Sequence, residues 1–280
     1  MINKYISYVF LTSLSVLTLP VASAATDSSF SIELGSDNND GDERYLDLSL
    51  GLGDGRQLFI SQGESTTTDS TGELKTNAWS IGMSTDPAAD FGLAVYYSYW
   101  GDKDALEIDT LALDLNINTD NWAFVITPQT RDIVLVSTTR RNTTFSSQGL
   151  GLSVDYYGIR DFYFSVAYLI NSYPSNLSLL ADNPLFSGRN FSSTTLDNAL
   201  GLEDNRTTLG MGYSFGSATA GIQHTDSVSA VDDSNSTTDT IYLSWNMNQQ
   251  WRLKLSTGTA STEGNPDDTR FTNMAVTYRW

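Results

Sequence analysis

The chain reads as an all-β protein, a single antiparallel up-and-down barrel of about fourteen strands, with twelve or sixteen as the neighbouring counts, built to span a membrane. Three observations predict it. Short segments alternate apolar and polar residues along most of the chain, the period of a strand with one apolar and one wet face. The links between those segments are mostly brief at one end and longer and polar at the other. Large aromatic residues gather near both segment ends, as at two membrane interfaces.

The segments follow in order. Strand 1 (28–35) aligns Phe30, Ile32 and Leu34 on one face, and the turn-rich S-D-N-N-D-G-D-E at 36–43 ends it. Strand 2 (44–53) is among the clearest signals: Leu46, Leu48, Leu50 and Leu52 share one face, while Tyr45, Asp47, Ser49 and Gly51 share the other. A D-G link at 54–55 leads to strand 3 (Leu58, Ile60), then a polar loop at 66–75 and strand 4 (Trp79, Ile81, Met83). After D-P-A-A-D, strand 5 aligns Phe91, Leu93, Val95, Tyr97 and Tyr99. Strand 6 aligns Leu111, Leu113, Leu115 and Ile117, but Leu106 and Ile108 fall on the opposite parity. A bulge near Asp109 and Thr110, or a stretch above the bilayer, would account for that switch.

Residues 121–138 are taken as one long strand through P-Q-T-R-D, because a single strand keeps every later link on a consistent side. Strand 8 aligns Leu150, Leu152, Val154 and Tyr156, and strand 9 aligns Phe162, Phe164, Val166, Tyr168 and Ile170. The irregular segment 174–204 follows; it is too apolar for a disordered tether, and either folds into the barrel or caps its rim. Strand 10 aligns Leu209, Met211, Tyr213 and Phe215, and strand 11 (218–229) has few large apolar residues. Strand 12 aligns Ile241, Leu243, Trp245 and Met247, strand 13 Trp251, Leu253 and Leu255, and strand 14 Met274, Val276, Tyr278 and Trp280. One aromatic girdle is expected at Phe91, Trp122, Phe162, Phe215, Trp251 and Trp280, and another at Trp79, Tyr97, Tyr99 and Phe271.

Composition narrows the function. With 15 basic and 33 acidic side chains the formal charge is −18, which disfavours nucleic acid and anionic lipid surfaces as partners. There is no cysteine and one histidine, so no disulfide framework, metal site or cofactor is expected. His224 near Ser227 and Ser229 invites a nucleophilic reading, but H-T-D-S places His224 and Ser227 on opposite strand faces. The acidic run at 37–43 carries its glycine one position early for a calcium loop and fits a hairpin turn better.

The inward parity is mostly small or polar. Its charged members are few: Glu33, Asp47, Asp114 and Asp155 against Arg252, Lys254 and Arg279. Strands 6 and 8 should lie about half a circumference from strands 13 and 14, so acids would face bases across a wet lumen. The alternative is local pairing of Arg279 with Glu33.

At the N-terminus, Lys4, the apolar run 6–19 and Ala22-Ser23-Ala24 have the form of a signal peptide, giving a leader at 1–24 and a single domain at 25–280. At the other end the chain stops on Trp280, with Tyr278 two positions earlier. That ending resembles the final strand of Gram-negative outer-membrane β-barrels, in which the terminal aromatic is the assembly signal. The resemblance implies an outer-membrane location, periplasmic termini, and contact with outer-membrane lipids, lipopolysaccharide and the barrel-assembly machinery. With porin-like features it implies a passive channel for small hydrophilic solutes or ions. A non-conducting barrel with adhesive acidic loops is the alternative, and an outer-membrane surface enzyme the third. Oligomeric state is not written in the sequence.

Overall fold

A computed structural model describes residues 28–38, 41–69, 72–85, 90–102, 106–135, 143–173, 202–230, 233–263 and 268–280. Residues 1–24, expected to be a leader, and all of the 174–204 segment except Leu202, Glu203 and Asp204, lie outside them. The described residues form fourteen strands: β1 Ser29–Asp37, β2 Asp42–Gly53, β3 Arg56–Asp69, β4 Gly72–Ser84, β5 Phe91–Asp102, β6 Leu106–Asn118, β7 Trp122–Leu135, β8 Thr143–Tyr156, β9 Phe162–Ser172, β10 Glu203–Phe215, β11 Ala218–Ser229, β12 Asn235–Asn246, β13 Trp251–Thr262 and β14 Thr269–Arg279. Each pairs antiparallel with its sequence neighbours, and β1 closes on β14. At the seam the Ser28 N–H donates to the Trp280 carbonyl at 3.3 Å, and the Trp280 N–H donates back at 3.1 Å. Closure leaves no sheet edge among these strands, so every strand pairs on both sides.

Burial is inverted relative to a water-soluble barrel. The aligned apolar residues face outward and are exposed, including Leu46, Ile81, Val95, Leu111, Leu152, Val166, Met211, Ile241 and Met274. Large apolar surface left bare on the outside of a closed barrel is what hydrocarbon, rather than water, accommodates. At the short-turn end outward aromatics pair: Trp122 with Tyr156 at 4.4 Å between centroids, Phe162 with Tyr213 at 4.7 Å, and Trp251 with Tyr278 at 4.8 Å. Toward the other end Trp79 packs against Tyr97 at 5.3 Å and Tyr99 at 6.2 Å. Phe271 does not join them. It sits on the inward parity of β14, its ring over Gly258 of β13, because Met274 fixes the outward positions as even-numbered.

Three local expectations resolve. Residues 122–135 form one strand paired along its whole length with β8, Pro128 lying on the outward face. The register of β6 with β5 runs unbroken from Leu106 to Ile117, so there is no bulge at Asp109; Leu106 and Ile108 point inward at the long-loop end, where both are buried. The expected 66–75 loop is instead a hairpin extension, with β3 and β4 pairing out to Asp69 and Gly72. The Thr-rich stretch 66–68 favours strand, which explains the extension. At the other end Gly53, Asp54 and Gly55 all take positive φ (84°, 52° and 71°), the conformation a tight hairpin link requires.

Candidate functional site: the barrel lumen

The strand pleat points every second side chain inward, and strand register decides which of them meet. Much of the inward set is small. Several of its aromatic rings lie over a glycine directly opposite on the next strand: Tyr45 over Gly63, Tyr163 over Gly212, Tyr242 over Gly221 and Phe59 over Gly82, which the Tyr96 Cβ meets from the other side. A Cβ at any of these glycines would collide with the ring above it. The glycines thereby let large rings fold against the wall rather than project across the lumen.

Between β7 and β10 the inner wall is cross-linked. Gln129 Nε2 donates to Asn171 Oδ1 at 2.9 Å across Gly149 of the intervening strand, and Asn171 Nδ2 donates to the Glu203 carbonyl at 2.9 Å. The Tyr173 hydroxyl donates to the same carbonyl at 3.0 Å and accepts from Arg131 Nη1 at 3.4 Å. Arg206 Nη1 lies 3.3 Å from Glu203 Oε1. Above this network Ile108 pairs with Trp100 on one side and Ile133 on the other, and Leu106, Ile108 and Ile133 are buried (0–3 % exposed).

The seven charged residues expected to face inward all do so. Glu33, Asp47, Asp114, Asp155, Arg252, Lys254 and Arg279 occupy the parity opposite the exposed apolar face of their strands. The closed strand order puts β6 seven strands from β13 in either direction, so Asp114 lies on the wall opposite Arg252 and Lys254. Asp155 on β8 lies nearly opposite Arg279 on β14. Among the described residues none of the seven is within 4.0 Å of an opposite charge, and the Arg279–Glu33 pair does not form. Their contacts are to neutral groups: Asp114 accepts from the Thr127 hydroxyl at 2.7 Å, and Arg252 Nε donates to Ser244 Oγ at 2.7 Å.

His224 sits on the outward face between two carboxylates, its Nδ1 2.8 Å from Asp239 and its Nε2 3.1 Å from Asp226. Ser227 is on the inward parity, so histidine and serine face opposite sides of the sheet. Sequence reasoning missed the ring-over-glycine pairs, the Gln129–Asn171 bridge and the inward apolar cluster. Only the parity of Leu106 and Ile108 signalled the last of these.

Among solved structures, the NanC porin superposes with a TM-score of 0.50 at 8% identity, over 89% of this chain and 98% of that one. The fold is that of the outer-membrane porins. The KdgM porin gives a TM-score of 0.46 at 10% identity, over 89% of this chain and 98% of its own. A loop L8 deletion mutant of OmpT, an outer membrane protein of Vibrio cholerae, gives 0.48 at 10% identity, over 91% of this chain and 98% of its own. No protein-family model and no curated protein matches the sequence.

Proposed function

We propose that the chain is a Gram-negative outer-membrane channel through which small hydrophilic solutes or ions pass by diffusion. The observation that carries this reading is the inner wall: several of its large rings lie over glycines, while among the described residues its charges toward the short-turn end lack opposite-charge partners. A barrel serving only as a scaffold gains nothing from unpaired inward charge, because desolvating it costs free energy that no ion pair offsets. In a wet lumen those charges stay solvated and create a transverse field between Asp114 and Asp155 on one wall and Arg252, Lys254 and Arg279 on the other. Glu33 and Asp47, beside the basic strands, complete the pore-lining set.

On this reading the short-turn end, with both termini, is periplasmic. The exposed apolar belt contacts lipid, and the outward Arg44, Lys75 and Arg270 toward the long-loop end face lipopolysaccharide phosphates. Tyr278 and Trp280 present the assembly signal from the outward face beside the seam. No catalysis is involved, since His224 is held outward by carboxylates and away from Ser227.

The experiment is single-channel recording of the purified, folded barrel in planar bilayers bathed in KCl. Discrete, ohmic conductance steps are expected. A folded barrel inserted without conductance would instead support the adhesive, non-conducting reading.

A further inference from the structure

We infer that the inner wall across β3, β4, β5 and β6 holds a binding recess for organic cations. This rests on the channel reading only for access to the lumen. Phe59 of β3 and Tyr96 of β5 approach Gly82 of β4 from its two sides, with ring centroids 6.3 Å apart and planes tilted by 57°. Both residues are half-buried on the inward face of their strands. Asp114 lies diagonally beside Tyr96, opposite Ala94. Its carboxylate accepts one hydrogen bond, from Thr127, and has no cationic side chain within 4.0 Å among the described residues.

Two tilted rings and a carboxylate on one wall form an open aromatic cage with an acidic side. The rings attract a cation by their quadrupoles, and Asp114 adds a negative charge on the same wall. Such a site discriminates by hydration. A small metal ion needs oxygen ligands all round, and among the described residues no group of three or more His, Asp or Glu could hold one. An alkylated ammonium gives up little hydration and covers the ring faces, so the ligand class is an organic ammonium ion.

The test is isothermal titration of choline chloride into the folded, detergent-solubilised barrel at fixed ionic strength, with planar-bilayer conductance measured on the same preparation. Saturable choline binding is expected. It should weaken about fivefold or more when Phe59→Leu and Tyr96→Leu are combined, in line with the loss of cation–π contact. It should weaken again in Asp114→Asn, which keeps the shape and the Thr127 contact, and stay unchanged in His224→Gln on the outer face. No saturable binding, or equal binding in the ring and Asp114 variants, overturns the recess. Conductance without choline binding would overturn the recess and leave the channel standing. Choline binding without conductance would support the recess and contradict the channel.

Discussion

On the wall from β7 to β10, in the half of the lumen nearer the long loops, charge is tied down: Glu203 faces Arg206 at 3.3 Å, and Arg131 is held by Tyr173 in a network that also includes Gln129 and Asn171. In the half nearer the short turns, Arg252, Lys254 and Arg279 face Asp114 and Asp155 across the barrel without an ion pair among the described residues. The same sheet and alternation carry both arrangements. What differs is placement: the bonded groups lie within one strand or two strands apart, while the unbonded charges lie on opposing walls. The first arrangement braces its wall; on the proposed reading the second acts on what passes.

The comparison breaks most severely at Asn171. Its side chain is 3 % exposed and bridges Gln129 and the Glu203 carbonyl, so Asn171→Ala leaves both without that partner. A loss of about 2–3 kcal/mol is expected, read as a lowered urea midpoint of the barrel in detergent. The isosteric Asp114→Asn in the other half should cost under about 1 kcal/mol in the same assay, since a solvated charge without an ion pair contributes little to stability. Equal losses would mean that the two halves do not differ in this way.

A smaller effect is expected from Gly212→Val. The added side chain cannot coexist with the Tyr163 ring on the wall, so the ring must swing into the lumen. Overpacking of this kind costs about 1–3 kcal/mol, and single-channel conductance should fall with it. Unchanged conductance would show that Tyr163 does not border the conducting path.

Exchange of both members of the Arg206–Glu203 pair for glutamine should matter least. The net charge is conserved and the ends of the pair neutralise each other, so stability should shift by no more than about 1 kcal/mol and the reversal potential should stay within error. A shifted reversal potential would place this pair in the selectivity path after all.

How much of this was legible in the sequence follows from what a single strand can reveal. Parity along one strand is a local property, so Leu46, Leu48, Leu50 and Leu52 identify an outward face and Asp47 an inward one with no partner known. The fourteen-strand count, the single β7 and the inward placement of all seven charges were readable for that reason. Which residue lies opposite which is a property of two strands. The resting of Tyr45 on Gly63, or of Phe59 on Gly82, depends on hairpin register and turn length, which fixed no exact partner in advance. The same limit hid the Gln129–Asn171 bridge, which spans β7 to β9. Of the two readings of Leu106 and Ile108, a bulge or a stretch above the bilayer, the unbroken register removes the bulge. Inside the barrel at the long-loop end they pack with Ile133 instead. Phe271 was placed in a girdle for its chemistry although its odd number put it inside.

The central claim, that the charges toward the short turns govern permeation, is tested most directly by the reversal potential under a salt gradient across a bilayer holding the purified barrel. A low-dielectric wall focuses the field of inward charges, while loop charges are screened over about 8–10 Å at moderate salt. Changing Arg252→Glu with Lys254→Glu should therefore shift selectivity toward cations. Changing Asp114→Lys with Asp155→Lys should shift it toward anions, both most strongly at low salt. A conducting barrel whose reversal potential is the same in both double variants as in the unmodified protein would contradict the account.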